Sequence, residues 1–568
     1  MSAAGPPRRH SARALLRELG SLRLRFGPEA SRRKLALLAA LERADLATAR
    51  EVLRYHELLA FWRAYPDDAE LLAAVERALE RFARRADLRR FRRELADSGV
   101  AGCDIAYPFF FATAVRLAER FPARLRVDWA DWERKDELEG VLHLLVPYVE
   151  SPAIDELVLT PRRWLALLMG PGEGDGAFLA RRFAELAGDG FVRETLYERL
   201  APTLRLRGGA ETPSRTRAKA PVEALVFQSA PLDGGRPDLA RFVPRARVRI
   251  RELAPRSAAS YIELARDAMV TRSRDLDAFA YADPVDARIV ECADGLAFAV
   301  FGQIPERRLV LESVYGALTL ENGVPIGYLL ISSLFGSSEI AYNVFETYRG
   351  AEAATVFGWA VTAARALFGS TTFSIDPYQL GSFGNTEGLD SGAWWFYYKL
   401  GFRPRDAEVK RVARGELAAI ARDAGHRSDR ATLERLAAEP LFLALGRRAG
   451  IALGALSPGS VGKRVARSLA ERFGADRERG VEESSRAAAE LLGVRSFTGW
   501  SAGERLWWRR WSPLVLAIPG VDRWSRSERR ALAAVVRAKG GRHESDYVRL
   551  FDAHTKLRRA LLSLATPD

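Results

Sequence analysis

The sequence predicts a mixed α/β centre between two all-α flanks, and three observations lead there. Apolar residues recur every three or four positions through both ends of the chain, as they do along one face of a helix. In the middle, "RARVRIREL" alternates apolar and charged residues, the mark of a half-buried strand. Between runs rich in β-branched and aromatic residues stands Asn322-Gly323, in "LENGVP", suited to a two-residue hairpin turn whose central positions both take positive φ.

The elements follow in order. From Ser11 to Leu204, "ARALLREL", "RRKLALLAALERADLATAREVLRYHELLAFW" and "AELLAAVERALERFARRADLRRFRREL" carry the helical spacing. Asp45 and Asp67 suit helix N-termini, and a start at Asp45 divides the second run into two helices. "LRGGAETPSRTRAKAP", Leu206–Pro221, offers almost nothing to bury and reads as a linker. Then come the strand above, the helical "SAASYIELARDAMVTRSRDLDAFA", a strand-rich stretch with the hairpin, and "SSEIAYNVFETYRG". An Ala-rich helix, "GAEAATVFGWAVTAARALFG", leads to the strand "TTFSIDPY" and the aromatic run "SGAWWFYYKLGFRP". Beyond Arg405 the pattern is helical to the end. The expected division is residues 1–205 all-α, 206–244 linker and loop, 245–405 α/β, and 406–568 all-α; 568 residues exceed one core.

Composition narrows the function classes. Cys103 and Cys292 are the two cysteines, which allows no disulfide framework and no CxxC knuckle, and suits a reducing compartment. The basic N-terminus lacks the apolar stretch of a secretory signal. Runs such as "LLVPYV" are too short to span a bilayer, so a cytoplasmic, non-membrane protein is expected. The net charge of +14 invites a nucleic-acid reading. Against it, arginines interleave with acidic residues, as in "RFARRADLRRFRRELADSG", which describes a solvated helix face. Trp507, Trp508, Trp511 and Trp524 could stack on bases, but aromatics at helical spacing more often pack. "SPGSVGKR" lacks the glycine and the terminal Ser or Thr of a phosphate loop, having Ser457 and Arg464 there. His543 and His554 lie three helical turns apart, about 16 Å, so no shared metal is expected.

One constellation carries chemistry. A strand ending near Val344 passes through Arg349-Gly350 into a helix beginning near Ala351. A helix entered from a tight turn presents unpaired N–H groups and its positive dipole end, an anion site suited to a pyrophosphate. Small residues at Gly350, Ala351, Ala353 and Ala354 allow close approach to the backbone. For a base that takes a proton from an amine, the candidates are Glu339 and Glu346, at the start and end of that strand.

These residues, in this order of elements, resemble the GNAT family of N-acetyltransferases over about Ala246 to Arg405. The family signature, Arg or Gln, two residues, Gly, one residue, then Gly or Ala, falls on Arg349, Gly350, Ala351, Glu352, Ala353 and Ala354. Ala393, Tyr397 and Gly401-Phe402 match the family's closing spacing, and "VRIRELAP" is similar to its opening strand. The resemblance implies a GNAT-like mixed sheet with a V-shaped opening between its fourth and fifth strands. There the backbone of Val344 and Phe345 would pair with the pantetheine arm of acetyl-CoA, and the Arg349–Ala354 turn would hold the pyrophosphate. It also implies that Tyr397 protonates the departing thiolate, and that the activity is acyl transfer from acetyl-CoA or another acyl-CoA to an amine by direct attack, with no metal. Glu352 departs from the pattern, standing where the family has its central glycine. A carboxylate there favours the alternative of a GNAT-like fold that has lost catalysis and serves as a binding or scaffold module. A basic nucleic-acid-binding protein is the third reading.

Overall fold

The hairpin fixes the middle of the fold. In the computed structural model, which describes residues 11–232, 234–350, 352–446 and 458–565, Asn322 and Gly323 have φ of 48° and 78°. They join the strands Ser313–Glu321 and Val324–Leu334 by the expected two-residue turn. In chain order the strands are β1 Ile105–Tyr107, β2 Leu125–Val127, β3 Leu204–Leu206, β4 Arg249–Glu252, β5 Ala282–Glu291, β6 Leu296–Gln303, β7 Ser313–Glu321, β8 Val324–Leu334, β9 Ser337–Val344, β10 Thr372–Ile375, β11 Arg403–Pro404 and β12 Leu441–Ala444. β4 to β12 form one mixed nine-stranded sheet in the order β11-β12-β10-β9-β8-β7-β6-β5-β4. The flanks are largely helical.

Contacts divide the chain into two compact units. The first is Met1–Leu232 with Ser260–Ala280 and Glu321–Ile326; the second is Asp233–Ala259 with Tyr281–Leu320 and Gly327–Asp568. In the first unit the long second run is two helices, Pro28–Glu42 and Ala49–Ala64. The caps differ from those expected: Thr48 and Asp68 accept the first-turn N–H bonds, while Asp67 turns inward to a buried ion pair with Lys34 at 2.6 Å. A hydroxyl or carboxylate caps only where its backbone stays extended, which the residue type alone does not reveal.

Two expectations of all-α flanks are corrected. β1, β3 and β2 form a small antiparallel sheet in the first unit. In the second unit "PLFLAL", read as helical, supplies β12, which pairs antiparallel with both β10 and β11. A short apolar run fits a buried strand or a helix equally, and only its neighbours decide.

The stretch expected as a linker is folded in. Thr212, Ser214 and Thr216 are buried, and the buried Arg63 donates to the carbonyls of Arg215, Thr216 and Ala218. His56, fully buried, meets Thr216 Oγ1 at 2.9 Å. Polar side chains thus take the place that apolar ones hold in a core, with Arg63 and Thr216 supplying the hydrogen bonds that tie the segment in. Asn322 is held likewise, its amide bonding to the carbonyls of Ala64 and Val226.

The second unit contains a buried ionic network. Asp286 on β5 accepts from Tyr315 Oη, Arg288 Nη2, the Glu544 N–H and His543 Nδ1. Lys539, fully buried, donates to Glu544 Oε1 at 2.5 Å and to the carbonyls of Leu311 and Glu312. Arg308 donates to the carbonyls of Gln303, Lys539 and Gly541 and lies 3.9 Å from the Glu544 carboxylate. His543 therefore belongs to this network. His554 bonds to the Glu528 carbonyl and the Leu557 N–H, so both imidazoles have structural partners. No cluster of metal-ligating side chains occurs among the described residues.

Candidate functional site

The site is built where two parallel strands part. β9 and β10 pair in register only at Ser337 with Thr372, Ser338 with Phe373, and Glu339 with Ser374. From Ile340 to Val344, β9 continues on β8 alone, with full antiparallel register from Leu334–Ser337 to Gly327–Val344. A half-buried strand edge that has left its neighbour is a template for hydrogen bonding to an extended ligand.

Past Val344 the chain makes a single 3-10 turn, Glu346–Tyr348, then Arg349 and Gly350, and enters the helix Ala353–Phe368. Gly350 has φ of +77°, the left-handed region that favours glycine, and a side chain there would meet nothing within 4 Å. The turn thus borders open space. No side chain caps the helix start at Glu352. Its first N–H groups have no intrahelical acceptor, which leaves the positive end available to an anion. Ala353 and Ala354 begin the helix, and Ala351 lies outside the described residues.

Arg349 is engaged elsewhere. Its guanidinium pairs with Glu387, and its Nε donates to the Val344 carbonyl at 3.3 Å. Phe345 is core, packed on the Tyr328 ring. Glu352, at the N-cap with φ of −109°, is half-buried.

Glu339 occupies the last paired position, where the strands part. Among the described residues no hydrogen bond or ion pair reaches its carboxyl. Burial, then the neighbouring carboxylates of Asp376 and Glu312, push it up to about 7. Beside it in register, Ser374 is 1% exposed and its hydroxyl has no partner among the described residues. Glu346, by contrast, is exposed in the turn beyond the strand, away from this group.

Three residues after Glu339, Tyr342 projects to the opposite face of β9, since strand side chains alternate. Its hydroxyl donates to the Ala353 carbonyl and its ring lies 5.4 Å from Phe357. Tyr397, on the helix Ala393–Lys399, packs 5.3 Å from the same Phe357 ring and 5.9 Å from Phe402. Complete burial raises the Tyr397 phenol far above its ordinary range, so it keeps its proton at any physiological pH. Trp394 is buried beside it and stacks on Tyr398.

Sequence reasoning thus reached Glu339, Gly350, Glu352 and Tyr397 but missed Asp376, Glu312, Tyr342, Ser374 and Glu387. Asp376 had a readable signal: an acidic residue two places beyond a strand residue and just before a proline. The others have no local mark. The tryptophans of the tail are core; Trp507, Trp508 and Trp511 are buried and donate to the carbonyls of Pro305, Ser485 and Val310. Among the described residues no helix is long and apolar enough to cross a membrane.

No family model, curated protein or solved structure matches this chain.

Proposed function

We propose that the chain is an acyl-CoA-dependent N-acyltransferase of the GNAT kind, acting on an amine by direct attack. The observation that carries the reading is the parting of β9 from β10 immediately upstream of the Gly350 turn and its uncapped helix. An extended arm with amide groups fits a strand edge that has lost its neighbour, and a pyrophosphate fits a helix start beside open space. The residues that would hold the cosubstrate are Val344, Gly350, Ala353 and Ala354. Phe345 supports the strand end from the core.

Acyl-CoA supplies an acyl group activated as a thioester. Glu339 takes the proton from the amine: a carboxyl titrating near 7 is half ionised at neutral pH and still basic enough to accept it. Tyr397, protonated throughout, donates to the departing sulfur. Glu339 and the Tyr342–Phe357–Tyr397 group lie on opposite faces of β9, so amine and leaving group approach the opening from opposite sides.

The pair between Arg349 and Glu387, together with Glu352 at the helix start, supports the second reading, a fold of this kind without catalysis. Calorimetry with acetyl-CoA separates the two. Saturable binding with acetyl transfer to a primary amine is expected, and no heat at millimolar ligand sinks the enzyme reading. The burial of the tryptophans leaves the nucleic-acid reading with net charge alone.

A further inference from the structure

In the first unit, the surface between Lys135 and Leu168 is assembled from short pieces. They are a 3-10 helix Lys135–Val141, the helical turn Leu142–Leu145, a 3-10 turn Tyr148–Glu150, and the helices Ser151–Glu156 and Pro161–Leu168. These pieces adjoin one another. Leu142–Leu145 packs on both Lys135–Val141 and Ser151–Glu156, Ser151–Glu156 on the 3-10 turn, and Pro161–Leu168 on Lys135–Val141. One set of apolar side chains fastens them to the unit: Leu138, Leu142, Leu145, Trp164 and Leu165 are buried in its core, and Ile154 packs against it.

A second apolar set is left over. Tyr148, Val149 and Val158 are 92%, 83% and 100% exposed, and Leu144, Leu157 and Leu167 are exposed on the same pieces. Single apolar residues scattered on a surface need no explanation, but a set this large on adjoining elements marks a surface that another molecule covers. Nor do these side chains hold the fold, because the buried set already does. The charge around them is equally distinct. Although the chain carries a net +14, the stretch from Asp131 to Thr160 sets eight exposed carboxylates against Arg134 and Lys135. Both cations are occupied, donating to the carbonyls of Arg199 and Trp129. Glu150, Asp155 and Glu156 directly adjoin the exposed apolar residues in sequence. Of these three, among the described residues, only Asp155 has a basic side chain within ion-pair distance, His143 at 3.7 Å. Arg162 and Arg163 enter only with the last helix.

We propose that this surface docks a basic amphipathic helix of another protein. The helix sets its apolar stripe on Tyr148, Val149, Leu157 and Val158 and its Lys or Arg residues on Glu150, Asp155 and Glu156. Charge selects this occupant over the others that an apolar surface could take. A second copy docking by the same face would set carboxylate against carboxylate, and an anionic membrane would be repelled likewise. A basic helix neutralises the acidic rim while its apolar stripe removes the exposed side chains from water. The docking surface is independent of acyl transfer and stands or falls without it.

The test is fluorescence anisotropy of a labelled amphipathic peptide titrated with the full chain. The peptide has about 18 residues, leucine on one helix face and lysine on the other. Saturable micromolar binding is expected, weakening several-fold between roughly 0.05 and 0.5 M salt. Tyr148→Ser with Val158→Ser should weaken it about tenfold or more, and Glu150→Lys with Glu156→Lys by a similar factor. All four side chains are exposed, so the melting temperature should hold in both variants. A peptide with glutamate in place of lysine should not bind. The proposal is overturned if the basic peptide shows no saturable binding at roughly 100 μM, or if the acidic peptide binds as tightly. It is equally overturned if both variants bind as the parent chain does. Self-association of the chain, or binding to phosphatidylserine vesicles, that Tyr148→Ser with Val158→Ser abolishes would also overturn it, by assigning the surface to a second copy or to a membrane.

Discussion

The second unit treats buried charge in two opposite ways. Around Asp286 every charged group has partners: four donors meet that carboxylate, and Lys539 spends its ammonium on one carboxylate and two carbonyls. At the fork of β9 and β10 the Glu339 carboxyl has none, with two further carboxylates near it and the unpartnered Ser374 hydroxyl beside it. The first arrangement holds structure, because desolvated charges that are bonded to one another fix the groups that bond them. The second stores unfavourable electrostatics, the arrangement on which the proposed proton transfer rests. The contrast shows in the titrations. Bonding and positive neighbours outweigh burial at Asp286 and hold it below the ordinary carboxylate range, whereas burial and negative neighbours raise Glu339.

Removing one partner from the closed network should have the largest effect. Lys539→Met removes the cation hydrogen-bonded to buried Glu544, leaving Arg308 at 3.9 Å, and is expected to cost about 3–5 kcal/mol, read from denaturant unfolding of the full chain. A loss under about 1 kcal/mol would mean that the network is not the rigid half of the comparison.

At the fork the same kind of change should behave oppositely. Glu339→Gln is expected to reduce acyl transfer about a hundredfold with stability unchanged or raised. In the parent chain the rate should climb with pH to about 7 and then level, because only the ionised carboxylate accepts a proton. The sign for stability is the reverse. Between the ordinary glutamate value of 4.5 and about 7 the folded chain holds a proton that the unfolded chain has released. Stability therefore falls as pH rises through that window, and Glu339→Gln should flatten this slope. An unaltered slope in the variant would remove Glu339 from the raised position.

Tyr397→Phe should have the smallest effect, about tenfold on turnover at neutral pH, since a thiol titrating near ~8.5 is already a fair leaving group. Acetyl-CoA affinity should hold, because the ring stays in the Phe357–Phe402 cluster. Equal turnover in the variant takes the phenol out of the mechanism.

Much of this was legible residue by residue. Helical spacing gave the flanks, Asn322-Gly323 gave the hairpin, and the order of elements around Arg349-Gly350 gave the turn and the helix behind it. Glu339 and Glu346 were indistinguishable as strand carboxylates, and the structure separates them: one stands at the fork, the other is exposed in a turn. The arginine of the signature was legible as a residue but not as a partner of Glu387. "TPSRTRAKAP" read as linker because composition counts apolar surface, whereas its burial rests on Arg63 bonding its carbonyls.

Local chemistry, then, determined what local chemistry controls: which segments repeat with period two or near 3.6, where φ must turn positive, and where a helix begins after a glycine. Tertiary structure alone decided that "PLFLAL" enters the sheet as β12 between β10 and β11, and that β9 leaves β10 after Glu339. It also decided which buried charges find partners. The reason is that strand pairing and desolvation are set by groups distant in sequence. Glu339 is pushed up to about 7 by its burial and then by Asp376 and Glu312, which reach it from other parts of the chain.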